Sequence, residues 1–226
     1  MPPSKPPNSQ SFPEDLLAGY RDFRARRFSD ERARYQKLAD EGQTPSTLII
    51  ACCDSRAAPE MIFNVAPGEI FVVRNVANQV PPFKPDGGYH STSAALEFAV
   101  QALKVQNIVV LGHGRCGGIQ AALDPAAEPL SPGDFIGKWM DLLKPAAQAV
   151  NQNEYLTGAE RQTALERISI RHSIKNLLTF PCIKILADKG KLALHGAWFD
   201  IHSGELWVLD PESGDFKRPD MGDASS

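Results

Sequence analysis

Thr47-Leu48-Ile49-Ile50-Ala51-Cys52-Cys53-Asp54-Ser55-Arg56 begins as a short apolar run and then delivers two thiols, a carboxylate and a guanidinium in five residues. The run, residues 47–51, is rich in β-branched side chains, as suits a strand buried on both faces of a parallel sheet. Residues 70–73 and 108–111 have the same character. Between them an apolar-periodic stretch predicts a helix over 92–103, with Leu96, Phe98, Ala99, Ala102 and Leu103 inward and Ser91 or Thr92 as its cap. A later helix is expected over 160–179, ahead of Pro181. Residues 197–200 and 205–209 flank His202-Ser203-Gly204, which reads as a hairpin. The expected fold is α/β: a doubly wound, mostly parallel sheet of four strands with one antiparallel edge strand.

Working outward, residues 14–27 and 30–41 predict two helices, with Ser29 as N-cap of the second and Asp30 and Glu31 in its first turn. They form a basic N-terminal arm, 14–41, within a single domain running from 13 to 218. Residues 1–12 and 219–226 read as disordered. The 226 residues suffice for one domain with a sizeable core. A net charge of −3 gives no argument for a nucleic-acid or membrane partner, and no apolar run approaches the length of a bilayer span. The Pro- and Ser-rich start carries no secretory signal pattern, so a cytoplasmic location is the default expectation. The four cysteines, Cys52, Cys53, Cys116 and Cys182, then point to metal or catalysis before disulfides.

Two strand ends hold the chemistry. In extended backbone Cys52, Asp54 and Arg56 share one side, with Cys53 and Ser55 on the other. His113-Gly114-Arg115-Cys116 places an imidazole and a thiol three residues apart, directly after the run 108–111. Cys52, His113 and Cys116 make a Cys₂His zinc set with an open fourth position, the arrangement of catalytic rather than structural zinc. The bland alternative is three ordinary buried side chains. The segment 112–117 also matches G-x-G-x-x-G, which would make the protein a nicotinamide-dependent oxidoreductase. That fingerprint needs an acid ending the next strand about 20 residues on, and Asp134 sits instead in a proline-rich, loop-like stretch.

C-x-D-x-R at 52–56 with H-x-x-C at 113–116 resembles the β-class carbonic anhydrases, and residues 67–69, 71–78 and 117–119 extend the similarity. Val80-Pro81-Pro82-Phe83 and Asp134-Phe135-Ile136 are similar to the plant-like branch. The resemblance implies one zinc per chain on Cys52, His113 and Cys116. It further implies attack of zinc-bound hydroxide on carbon dioxide to give bicarbonate and a proton, oriented by an Asp54–Arg56 dyad. It assigns Gln43, Phe71 and Phe98 to the substrate, though Phe98 departs from the tyrosine of the plant-like members. In a closed state of some members Asp54 becomes the fourth zinc ligand. The branch that favours this state carries a tryptophan three residues before the first zinc cysteine. Ile49 stands there, so an open site is expected, although the accompanying Arg74 is present. The family assembles from dimers embraced by N-terminal helices, implying a homodimer or a tetramer of dimers. The rival activities are carbonyl sulfide or carbon disulfide hydrolysis on the same fold, the oxidoreductase above, and a non-catalytic zinc module. None of His90, His172, His195 and His202 stands out as a proton shuttle.

Overall fold

The computed structural model describes residues 12–220, so the expected disorder at 1–11 and 221–226 lies outside it. The chain forms a helical unit that ends at Gln43 and a sheet unit that begins at Thr44. The helical unit holds α1 (Glu14–Ala25), α2 (Arg27–Asp30) and α3 (Arg32–Glu41). Ser29 is not the expected cap. It lies inside α2, and α3 starts two residues later than its expected Asp30, without a side-chain cap. Ring packing overrides the cap signal here. The breaks at Arg26 and Glu31 let Phe28 meet Phe23 and Tyr35, at centroid distances of 5.9 and 5.3 Å. Arg24 and Arg32 cover the Phe28 ring at 5.1 and 5.9 Å. None of these three helices buries a residue.

The sheet unit runs β1 (Thr47–Cys52), α4 (Pro59–Ile62), β2 (Ile70–Asn75), α5 (Ser91–Glu97), β3 (Asn107–His113) and α6 (Gly117–Leu123). It continues with α7 (Phe135–Met140), α8 (Lys144–Asn151), α9 (Gly158–Leu177), α10 (Pro181–Asp188), β4 (Ala193–Phe199), β5 (Leu206–Leu209) and β6 (Phe216–Lys217). The strand order is β2-β1-β3-β4-β5-β6. The first four are mutually parallel, and β5 and β6 add antiparallel pairs at one edge. The four parallel strands and the hairpin at 202–204 are as expected. β6, only two residues long, is additional, and β4 starts at Ala193 rather than 197. The early part of β4, Ala-Leu-His-Gly, lacks the β-branched signal of the other strands.

The helix expected over 92–103 is α5 followed by a π-helical turn, Phe98–Ala102. Its N-cap position is His90, and neither Ser91 nor Thr92 caps it; Thr92 is buried and accepts a hydrogen bond from Asn75 Nδ2. The wide turn rotates the later residues, so Leu96, Ala99 and Val100 face inward while Phe98 (51% exposed) and Ala102 face out. α9 opens on a capping box, the Thr157 hydroxyl and the Glu160 carboxylate each satisfying the other's backbone N–H. It lies across β3 and β4, with Ile170 seated over two glycines. A Cβ on Gly112 or Gly196 would come within 2.7 or 2.8 Å of that side chain. Leu48, Ile50, Ile108 and Val110 bury the central strands on this face, and Ile49, Ala51 and Leu111 on the other. Among the described residues no helix is long and apolar enough to cross a membrane.

Candidate metal centre

Parallel pairing sets Ala51 level with Leu111, so β1 and β3 finish side by side. Cys52 is the last residue of β1 and His113 the last of β3. From His113 the chain turns through Gly114 and Arg115, the latter at φ 57°, and Cys116 becomes the N-cap residue of α6. The left-handed residue is therefore Arg115. Gly114 is needed for a close approach, since a Cβ there would meet the Trp198 ring at 3.1 Å.

The Sγ atoms of Cys52 and Cys116 lie 3.9 Å apart, and both cluster with His113 with ligand atoms within 4.8 Å of one another. All three residues are buried. His113 Nδ1 is 2.9 Å from the Gly114 carbonyl, which can only accept, so Nδ1 carries a proton, and in the neutral ring Nε2 has the lone pair. That Nε2 is buried and has no hydrogen-bond partner. A buried imidazole lone pair left unmatched beside two thiols is what a missing cation would satisfy. Tetrahedral zinc with bonds near 2.3 Å holds two sulfurs about 3.8 Å apart, close to the spacing found. The residues present therefore fit the metal.

The Cys52 and Cys116 thiols are hydrogen-bonded to each other. The hydrogen bond from Cys116 to Cys52 lowers the Cys52 pKa and raises that of Cys116. Burial works against a charge on His113, but the Cys52 thiolate, the Gly114 carbonyl and Asp54 outweigh it and move its pKa up. The backbone N–H of Ala77, a left-handed residue at φ 61°, also points at Cys52 Sγ at 3.4 Å. Cys53 is exposed, as the strand alternation requires, and Cys182 is partly buried and elsewhere in the core.

Asp54 and Arg56 meet for a reason other than strand alternation. β1 has ended, and a 3₁₀ turn, Ser55–Ala57, follows with Asp54 as its cap. Asp54 Oδ1 accepts from Arg56 N and Nε at 3.0 Å each, and Oδ2 from Nη2 at 2.7 Å. These Arg56 bonds hold the Asp54 carboxyl well below the usual carboxylate range. Its Oδ2 stands 4.0 Å from His113 Nε2. Arg74 spans the same corner, donating to the carbonyls of Cys52 at 2.8 Å and Asp54 at 2.7 Å.

Phe71 and Phe98 do not reach this cluster. Their rings lie 5.8 Å apart, but Phe71 is level with Leu48, four residues before Cys52, or about 13 Å down the sheet. Gln43 is exposed at the end of the helical unit. Asp134 caps α7 at φ 44° instead of ending a strand, so the dinucleotide fingerprint fails in its second half. His90 pairs with Asp86 at 2.6 Å, His195 contacts Asn107 at 3.2 Å, and His172 lies 3.5 Å from Asn176.

One residue at the site escaped the sequence reading. Glu166, on α9, is 2% exposed, and burial pushes its carboxyl pKa up. Its signal was a lone acid among Leu165, Ser169 and Ile170, the buried face of that helix.

A family model described as carbonic anhydrase matches residues 47–206. The β carbonic anhydrase 5, chloroplastic, of Arabidopsis thaliana is 37% identical over 206 residues, covering 90% of this chain and 67% of that protein. The structure of the β-carbonic anhydrase CcaA superposes with a TM-score of 0.84 at 31% identity, covering 92% of each chain. One of two tetrameric β-carbonic anhydrases from Sordaria macrospora gives a TM-score of 0.74 at 29% identity, over 90% of this chain and 98% of that one.

The geometry predicts uptake of about one zinc ion per chain. Elemental analysis should find the metal lost in Cys52→Ser and retained in Cys53→Ser. The reverse pattern would contradict the facing of these two thiols.

Proposed function

The chain belongs to the β class of the carbonic anhydrase family, in its plant-like branch, and from that premise we propose that it catalyses the reversible hydration of carbon dioxide to bicarbonate and a proton. The observation that carries this reading is the unpartnered, buried His113 Nε2 between two buried thiols, beside a carboxylate already fixed by an arginine. Cys52, His113 and Cys116 would hold zinc, and three protein ligands leave a fourth position for chemistry. When bound, the metal supplies the Lewis acidity that makes water a nucleophile near neutral pH.

The chain's own groups do the rest. Cys52 and Cys116 would bind the metal as thiolates and His113 as the neutral imidazole, its proton held on Nδ1 by the Gly114 carbonyl. Asp54, ionised throughout the neutral range, accepts a hydrogen bond from the reacting water and fixes the direction of its lone pair. Arg56 occupies both carboxylate oxygens and so keeps Asp54 from turning toward the metal. Asp54 as a fourth ligand belongs to conditions that break this pair. Arg74 is committed to two carbonyls and Ile49 is buried within the sheet, which together favour the open arrangement at neutral pH.

Gln43, Phe71 and Phe98 are assigned to the substrate. Phe71 lies about 13 Å from its own chain's centre and Phe98 is half exposed, so these rings line a carbon dioxide pocket only where a second copy brings its centre against them. This supports a homodimer, or a tetramer built from dimers.

Asp54→Asn and Arg56→Ala are expected to keep zinc and to lose carbon dioxide hydration by about 10- to 100-fold, as orienting groups around a metal do. Stopped-flow hydration on metal-assayed protein measures both quantities. Full turnover in either variant would refute the assigned roles. A zinc-loaded parent without hydration activity would refute the function itself.

A further inference from the structure

The carboxylate of Glu166 reaches the metal-binding turn from α9. Its Oε1 accepts from the backbone N–H of Cys116 at 3.1 Å, and its Oε2 accepts from the indole Nε1 of Trp198 at 3.0 Å. One turn earlier on α9, the Gln162 side-chain amide donates to the Cys116 carbonyl at 3.4 Å. The peptide groups on both sides of the Cys116 Cα are thus held by one helix. They need holding, because the preceding residue, Arg115, is in the left-handed region, and the turn's bond to β4, from Gly114 N–H to the Phe199 carbonyl at 2.8 Å, lies two residues before Cys116.

Both partners of Glu166 are donors and nothing else. A carboxylate answers them with two acceptor oxygens. An amide has one acceptor, and turns its NH₂ against whichever donor remains. Burying an acid in the middle of a helix's apolar face is costly unless its oxygens are matched. If α9 needed only to pack on the sheet, an apolar side chain would do at this position. The acid is explained by what it holds.

We propose that Glu166 is a positioning residue that aims the Cys116 thiolate, setting the strength and geometry of metal binding without touching metal or substrate. The inference rests on the reading of Cys52, His113 and Cys116 as the metal ligands.

The test compares the full-length parent with Glu166→Gln, Glu166→Asp and Trp198→Phe. Zinc affinity is read by competition with a chelator, and ligand geometry by the visible absorption of the cobalt-substituted proteins. Glu166→Gln should bind zinc about 10- to 100-fold more weakly and show a changed cobalt spectrum. Trp198→Phe removes the other donor and leaves the Cys116 contact, so it should keep parental affinity and spectrum even if it melts earlier. Should Glu166→Gln fail to fold, Glu166→Asp, one methylene too short to span both donors, is read in the same way. Parental affinity and spectrum in the folded Glu166 variant would overturn the proposal, as would an equal change in Trp198→Phe. A parent that binds neither zinc nor cobalt would instead defeat the metal-site reading.

Discussion

The backbone hydrogen bonds that pair β1 with β3 in parallel fix Ala51 against Leu111, and the site inherits its geometry from that register. Both strands are buried on both faces, so they cannot slide without exposing apolar side chains. A slip of one residue would turn Cys52 to the opposite side and present Cys53 instead. With the register fixed, Cys52 and His113 arrive at the same edge of the sheet, and the turn before α6 has only to fold Cys116 back onto them.

Around this edge, the polar groups flanking the three ligand residues are matched by one another. The Gly114 carbonyl accepts from His113 Nδ1, and the Ala77 N–H faces the Cys52 sulfur. Glu166 and Gln162 hold the two peptide groups of Cys116. Arg74 ties down the carbonyls of Cys52 and Asp54, while Arg56 takes the Asp54 carboxylate. At the ligand cluster itself, what remains is His113 Nε2 with the two thiols. Metal binding requires both thiols deprotonated, so it releases protons and weakens in acid.

The parallel core was legible because its three apolar runs are short, β-branched and bounded by polar residues, and the ligand set because its residues end two of those runs. Other features depend on contacts that periodicity does not encode. The π-turn at Phe98 shifts the buried face of its helix by less than a turn, which a regular helical pattern cannot register. Ser29 had the composition of a cap, but the Phe23, Phe28 and Tyr35 rings decide where the arm bends. Alternation along an extended backbone would put Asp54 and Arg56 on one side, whereas the chain brings them together through a capped 3₁₀ turn. Phe71 lies on the right strand but level with Leu48, a register fact invisible in the motif. Glu166 is far from either motif in sequence and joins the site only because α9 crosses the ends of β3 and β4.

The central claim is that this edge of the sheet forms a three-ligand metal site whose fourth position is open. The most direct measurement is a crystal structure of the zinc-loaded protein near neutral pH, with the metal located by anomalous scattering. The account predicts zinc on Cys52 Sγ, His113 Nε2 and Cys116 Sγ, a non-protein fourth ligand, and Asp54 still paired with Arg56. Zinc bound through Cys53, or Asp54 in the fourth position with Arg56 released, would contradict it.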